Sequence, residues 1–267
     1  MAFSFADWRH LFEPRGSADL ADPLVSCIMP TYNRGPFVTQ AIRHFMGQDY
    51  PSKELVIVDD GEDSVQDLTR GHPTIHYIRL GTRKTIGEKR NIAVAASRGN
   101  VIAHWDDDDW YDPSRLRYQV APLLTGAADA TALTMSFMYD LASDAIWFVD
   151  RELHQRMFFY GIHTGSLVFA KQMWHDVGMF PAMDLGEDVV FIRKLLGLGA
   201  DLRRLPNDAL LASLSALDAI PELALLEEIA RRCGGVLYPP RRAACIYVRH
   251  PANAWQFVCG EHLDPAS

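Results

Sequence analysis

No Cys-x-x-Cys pair occurs among the four cysteines, Cys27, Cys233, Cys245 and Cys259, so the thiols are read as free rather than as a disulfide or zinc framework. "CGEH", residues 259–262, is a faint metal cue and carries little weight. No uninterrupted apolar run is long enough to cross a bilayer. The start, "MAFSFADWRH", lacks the basic stretch and continuous apolar segment of a signal peptide. Both absences predict a cytoplasmic protein with no transmembrane segment. An excess of positive charge is missing too: 26 Lys and Arg stand against 34 Asp and Glu, a formal net charge of -8. That balance argues against gripping nucleic acid through overall charge. Internal repeats and low-complexity segments are absent, and nothing in the composition points to disorder.

What is present is 267 residues, 48% of them hydrophobic, enough to bury a full core as one large α/β domain. Residues 1–22 are polar, interrupted by Pro14 and Gly16, and read as an arm. From Val25 the pattern alternates. "VSCIMP" (25–30), "ELVIVDD" (54–60), "IHYIRL" (75–80) and "VIAHW" (101–105) read as buried strands. Between them "GPFVTQAIRHFMGQ" (35–48) predicts a helix burying Phe37, Ala41, Ile42 and Phe45, and "GEKRNIAVAASRG" (87–99) predicts one closed by Gly99. Short apolar strands separated by helices of this length are the mark of βαβ units on a parallel sheet. Beyond a helix at 112–124, the runs 132–141 and 145–150 predict paired strands of a mixed sheet. Strands at 165–170 and 245–250 and a helix from Glu187 complete the outline. Residues 208–235 carry two amphipathic patterns broken at Pro221, whose leucine stripes predict packing on the domain.

The carboxyl ends of parallel strands share one edge of a sheet, and ligands bind in the crevice there. That rule brings "PTYNR" (30–34), Asp59 and Asp60, and the run "HWDDDDWYDP" (104–113) to one cleft. Two unit charges about 4 Å apart repel by roughly 4 kcal/mol at an effective dielectric of 20. Four consecutive aspartates therefore call for relief, and a divalent ion with oxygen ligands, Mn²⁺ or Mg²⁺, relieves them best. Its natural companion is a diphosphate. For a single aspartate the plainer reading is a turn or helix cap, as Asp112 before Pro113 illustrates, or a solvated side chain, as for Asp109.

The ordered set "VSCIMPTYNR", "ELVIVDDG", "GEKRNIAVAASRGNVIAHWDDDDWYDPSRL" and "GEDVVFIRKLLGLG" resembles the inverting glycosyltransferases of family 2, which have the GT-A fold. The resemblance covers 24 to about 206 and resumes over 247–255. It implies a Rossmann-like, mostly parallel central sheet flanked by helices, with a small mixed acceptor-side sheet. It also implies one domain over 23–267: a nucleotide-binding half at about 23–125, an acceptor-side half at 126–206, a helical insertion at 208–236 and a C-terminal strand and tail at 245–267.

Residue by residue, the resemblance implies that Tyr32 stacks near the donor's base, with Pro30 and Thr31 supplying backbone contacts and Asn33 and Arg34 completing the motif. Asp60 hydrogen-bonds the base, and Asp59 is structural or close to the ribose. Asp106 lies near ribose and metal, Asp108 binds the metal on the diphosphate, and Asp107 and Asp109 take less diagnostic places. Arg83 and Lys84 are candidates for the diphosphate, although a solvated loop accounts for them equally well. Arg90 and Asn91 start a helix backing the donor site. Glu187 and Asp188 correspond to the catalytic acid pair, with Asp188 the general base; acids in a first helical turn also complement the helix dipole. "YVRHPANAW" resembles the late Arg-His-x-x-Asn segment, which makes His250 a further metal or phosphate ligand. Trp105, Trp110 and Tyr111 suit sugar rings or, more commonly, the core.

The expected activity is metal-dependent, inverting transfer of a sugar from a UDP, dTDP or GDP donor to an acceptor hydroxyl of open class. Two rivals are a metal-dependent nucleotidyltransferase or nucleotide-sugar hydrolase, and a noncatalytic nucleotide- or partner-binding domain. The first-strand "PTYNR" and the "GED" segment favour glycosyl transfer. Oligomeric state is not legible.

Overall fold

The computed structural model describes residues 22–134, 137–142, 145–148, 161–205, 207 and 244–253. The N-terminal arm up to 21, the insertion at 208–236, Cys233, Cys259 and His262 lie outside these residues.

Four parallel strands form one half of the main sheet: β1 (Val25–Thr31), β2 (Lys53–Asp59), β3 (Ile75–Arg79) and β4 (Val101–His104). Their runs are apolar at nearly every position because both faces are covered. Val25, Cys27, Met29, Leu55 and Ile57 pack with Val38, Ala41 and Phe45 of α1 (Gly35–Met46) and with Leu116 and Val120 of α3 (Arg115–Leu124). On the other face Ile28, Val56, Val58 and Ile102 meet Ala93 and Val94 of α2 (Ile86–Ala96) and Phe191, Ile192 and Leu195 of α5 (Glu187–Gly197).

The sheet continues through β9 (His163–Ala170), antiparallel to both neighbours, then β6 (Ala130–Leu133) and β10 (Leu202–Leu205), giving the order β10-β6-β9-β4-β1-β2-β3. The short α4 (Lys171–Asp176) follows β9. A second sheet runs β5-β11-β7-β8, from β5 (Trp110–Tyr111), β11 (Cys245–Arg249), β7 (Phe137–Asp140) and β8 (Ala145–Phe148).

Three local expectations change. The run 132–141 is not one strand: its ends belong to β6 in the large sheet and β7 in the small one. Helix α2 stops at Ala96 rather than Gly99. Gly99 serves a close approach instead, since a Cβ there would stand 2.3 Å from the Leu24 carbonyl. In α1 it is Val38 that enters the core, whereas Phe37 stacks on His250 at 4.4 Å between ring centroids.

Candidate active site

The order of strands reverses at β1, whose neighbours are β2 on one side and β4 on the other. Crevices open at such switch points, and here Thr31, Asp59 and the acid run after His104 all reach that edge.

Each aspartate of the run has its own partner. Thr31 Oγ1 donates to Asp107 Oδ2 at 2.6 Å. One Arg34 nitrogen donates to Asp107 Oδ1 and to Asp108 Oδ2, both at 2.8 Å. Asp108 Oδ2 is also met by His250 Nε2 at 3.0 Å and by Asn253 Nδ2 at 3.0 Å. Arg34 further donates to the Ala252 carbonyl, so the 250–253 turn is tied to the run from two sides. Arg90 donates to Asp106 Oδ1 at 3.1 Å. The plainer alternative of a solvated Asp109 does not hold: it is 2% exposed and accepts from Val248 N at 3.1 Å.

Two guanidinium groups against four carboxylates leave negative charge in excess. Burial, reinforced by the charges of Asp108, Asp188 and Asp107, pushes Asp106 up to about 6 against the pull of Arg90. Burial and the Asp108 charge raise Asp107 as well. Asp106, Asp108 and His250 offer two carboxylates and an imidazole, donor types that suit a divalent ion such as Mn²⁺ or Mg²⁺.

At the β2 end Asp60 is buried. Lys89 Nζ donates to its Oδ1 at 2.8 Å and to the Thr31 carbonyl at 3.0 Å, while Lys84 N donates to its Oδ2 at 2.7 Å. Arg83 lays its guanidinium 3.5 Å above the Tyr32 ring, so one face of that ring is covered by a cation. Lys84 Nζ pairs with Glu88 at 3.0 Å. Asp59 is committed to the protein, accepting from Gly61 N at 2.8 Å, Tyr77 at 2.7 Å and Arg79 at 2.9 Å. It braces the loop after β2. Asn33, in the left-handed region at φ 52, accepts from Glu62 N at 2.6 Å, and Pro30 sits within β1 opposite Val58.

Helix α2 begins with a capping box between Thr85 and Glu88. It then carries the loop that leads to α5. A Cβ on Gly87 would lie 1.9 Å from the Pro181 carbonyl, so only glycine permits that approach. Asn91 donates to the Phe180 carbonyl at 2.8 Å and accepts from Phe180 N and Trp174 Nε1, both at 2.9 Å. The loop delivers Glu187 and Asp188 into the first turn of α5. Arg90 Nε donates to Glu187 Oε1 at 3.0 Å. Burial first, with the Asp188 and Asp106 charges, pushes Glu187 up to about 7 against Arg90. Asp188 is half-buried and accepts from Val189 N at 2.7 Å.

The aromatic residues around the run belong to the core rather than to a sugar platform. Trp105 is 0% and Tyr111 1% exposed, with the Arg115 guanidinium 5.1 Å and 4.2 Å from their ring centroids. Trp110 is buried as well. Lys89, Phe37 and Gly165 were missed by sequence reasoning, and Asn253 entered only as the closing residue of the Arg-His-x-x-Asn segment. Helical spacing offered a signal for Lys89, beside Arg90 on α2; the others needed the fold.

The family model "Glycosyl transferase family 2" matches residues 26–169, more than half of the chain. The chain belongs to glycosyl transferase family 2. Over 100 residues it is 36% identical to the putative colanic acid biosynthesis glycosyl transferase WcaA of Escherichia coli K12, covering 36% of this chain and 36% of that protein. Over 103 residues it is 29% identical to the putative teichuronic acid biosynthesis glycosyltransferase TuaG of Bacillus subtilis 168, covering 37% of this chain and 41% of that one. It thus spans well under two thirds of these relatives.

Among solved structures, S. aureus TarS 1–349 in complex with UDP-GlcNAc superposes with a TM-score of 0.60 at 18% identity, covering 91% of this chain and 61% of TarS 1–349. The mannosyltransferase PcManGT of Pyrobaculum calidifontis, in complex with GDP-Man and Mn²⁺, gives 0.56 at 18% identity, over 74% of this chain and 60% of that one. These likenesses establish the GT-A fold for this family 2 chain. Among the described residues no helix is long and apolar enough to cross a membrane.

Proposed function

We propose that this family 2 glycosyltransferase moves a sugar from a nucleoside diphosphate donor to an acceptor hydroxyl with inversion, in a metal-dependent reaction. One observation carries the reading: a single buried guanidinium, Arg90, bonds both Asp106 of the acid run and Glu187 beside Asp188. It couples a diphosphate-type site to a catalytic acid pair. In this reading residues 23–125 hold the nucleotide and 126–206 face the acceptor. Asp60, Tyr32 and Thr31 line the base end, and Arg83 and Lys84 are placed for the diphosphate once Arg83 leaves the Tyr32 ring. Asp188 is the general base, because a base must meet an acceptor entering from solvent and Glu187 is 4% exposed. Glu187, held by Arg90, fixes the first turn of α5. Direct attack by the acceptor oxygen inverts the anomeric centre with no covalent enzyme intermediate.

Asp106 and Asp108, with His250 beside them, would hold Mn²⁺ or Mg²⁺, which as a Lewis acid offsets charge developing on the departing diphosphate. Neighbours holding GDP-Man and UDP-GlcNAc support both donor classes as probes. Cys27 and Cys245 are buried and outside any disulfide, which suits a reducing compartment such as the cytoplasm. The test is calorimetric titration of UDP, GDP and dTDP, with and without Mn²⁺, into wild type and Asp108→Ala. Binding of one nucleotide that requires both Mn²⁺ and Asp108 is expected; no binding under any condition would overturn the reading.

A further inference from the structure

We propose that Asp109, His163 and Cys245 form a second metal site, adjacent to the donor site but with ligands of its own, that takes a zinc-class ion. Their ligand atoms lie within 4.8 Å of one another and all three residues are buried. They come from three distant segments: the loop after β4, the start of β9 and the start of β11.

The geometry points to a shared ion rather than to an ordinary ion pair. His163 Nε2 stands 3.1 Å from Asp109 Oδ2, yet that buried oxygen receives no hydrogen bond. A carboxylate oxygen and an imidazole nitrogen so close, without a hydrogen bond between them, have the spacing of two ligands on one tetrahedral ion. Metal bonds of about 2.0–2.1 Å place such ligands about 3.3 Å apart.

Asp109 is held through its carboxylate, and the backbones of His163 and Cys245 are fixed by buried side chains. Val248 N donates to Asp109 Oδ1 at 3.1 Å. Ser166 Oγ donates to the His163 carbonyl at 2.6 Å. The Asn207 side chain accepts from Cys245 N at 2.9 Å and donates to its carbonyl at 2.7 Å.

The donor set decides the class of ion. One sulfur, one imidazole nitrogen and one carboxylate oxygen suit Zn²⁺, whereas Mg²⁺ and Mn²⁺ favour oxygen. A fourth ligand, such as water, would complete a tetrahedral zinc site. Asp106 and Asp108 are engaged instead by Arg90, Arg34, His250 and Asn253, none of them in the cluster. The ion joins the large sheet at β9 to the small sheet at β11. That strand leads directly to His250 and Asn253, so the role is to hold the C-terminal wall of the donor site.

The test uses the full, untagged chain. Zinc content by mass spectrometry is expected near one equivalent. Co²⁺ added to the chelator-stripped chain should produce a thiolate-to-cobalt charge-transfer band that is lost in Cys245→Ser and kept in Cys27→Ser and Asp108→Ala. Chelation should lower Tm, with recovery on Zn²⁺ but not on Mn²⁺. Wild-type protein without zinc and without the cobalt band would overturn the site, as would a band that persists in Cys245→Ser. Because the wild-type spectrum decides by itself, a Cys245→Ser chain that fails to fold does not shield the idea. Failure of the transferase reading would show instead as absent nucleotide binding with the cobalt band intact.

Discussion

Arg90 Nε donates to Glu187 Oε1 at 3.0 Å in the interior, joining helices α2 and α5 behind the acid run. Burial opposes the charge on Arg90, but Asp106 and Glu187 more than offset it and its pKa is raised. Arg90→Met should leave Asp106 and Glu187 facing each other without their shared cation, at a cost of about 3 kcal/mol in urea unfolding. Arg90→Lys keeps the charge but not the fork and should recover only part of the stability and of the transfer rate. Wild-type unfolding in Arg90→Met would show that the clamp is dispensable.

Asp188 differs from its neighbour in being reachable. Asp188→Asn should lower kcat by about 10²- to 10⁴-fold, the usual contribution of a positioned base, while nucleotide affinity in Mn²⁺ stays the same. Loss of nucleotide binding in parallel would place Asp188 in the donor site and remove it as the base.

Gly165 lies where β9 passes the acid run. A Cβ there would stand 2.3 Å from Asp106 Oδ2 and 2.8 Å from His163 Nε2. Gly165→Ala should push the Asp106 carboxylate aside and weaken Mn²⁺-dependent nucleotide binding on the order of 10- to 100-fold. Because the second obstacle is His163 Nε2, Tm should fall as well if His163 holds the zinc-class ion. Unchanged binding in calorimetry would mean that Asp106 is not needed there.

Glu187 titrates well above its ordinary 4.5, at about 7. Between those values the folded chain holds a proton that the unfolded chain has released. The stability this contributes is full below pH 4.5 and is lost as pH rises through about 7. Glu187→Gln cannot titrate, so its Tm should vary less across that window than the wild type's. Parallel curves would mean that Glu187 is ionised in the folded chain throughout.

Much of the site was readable because chemistry and strand order are local. Continuous apolar runs such as 25–30 and 54–60 report strands buried on both faces. The strand-end rule then gathers Thr31, Asp60 and the acid run without any coordinates. Phe37 shows the limit: helical spacing places it near the core face, but only the 250–253 turn decides that it stacks on His250. Trp105 and Tyr111 show another, because adjacency to aspartates does not reveal that Arg115 and the core claim both rings.

The sequence by itself determined the α/β class, the crevice and the residue types at its rim, since these follow from periodicity and from short motifs within single elements. The tertiary structure decided which acids share a cation, which aromatic residues are core, and that Asp109, His163 and Cys245 meet. Those facts depend on contacts between residues from a few to more than a hundred positions apart, where spacing along the chain outside a single element carries no distance information.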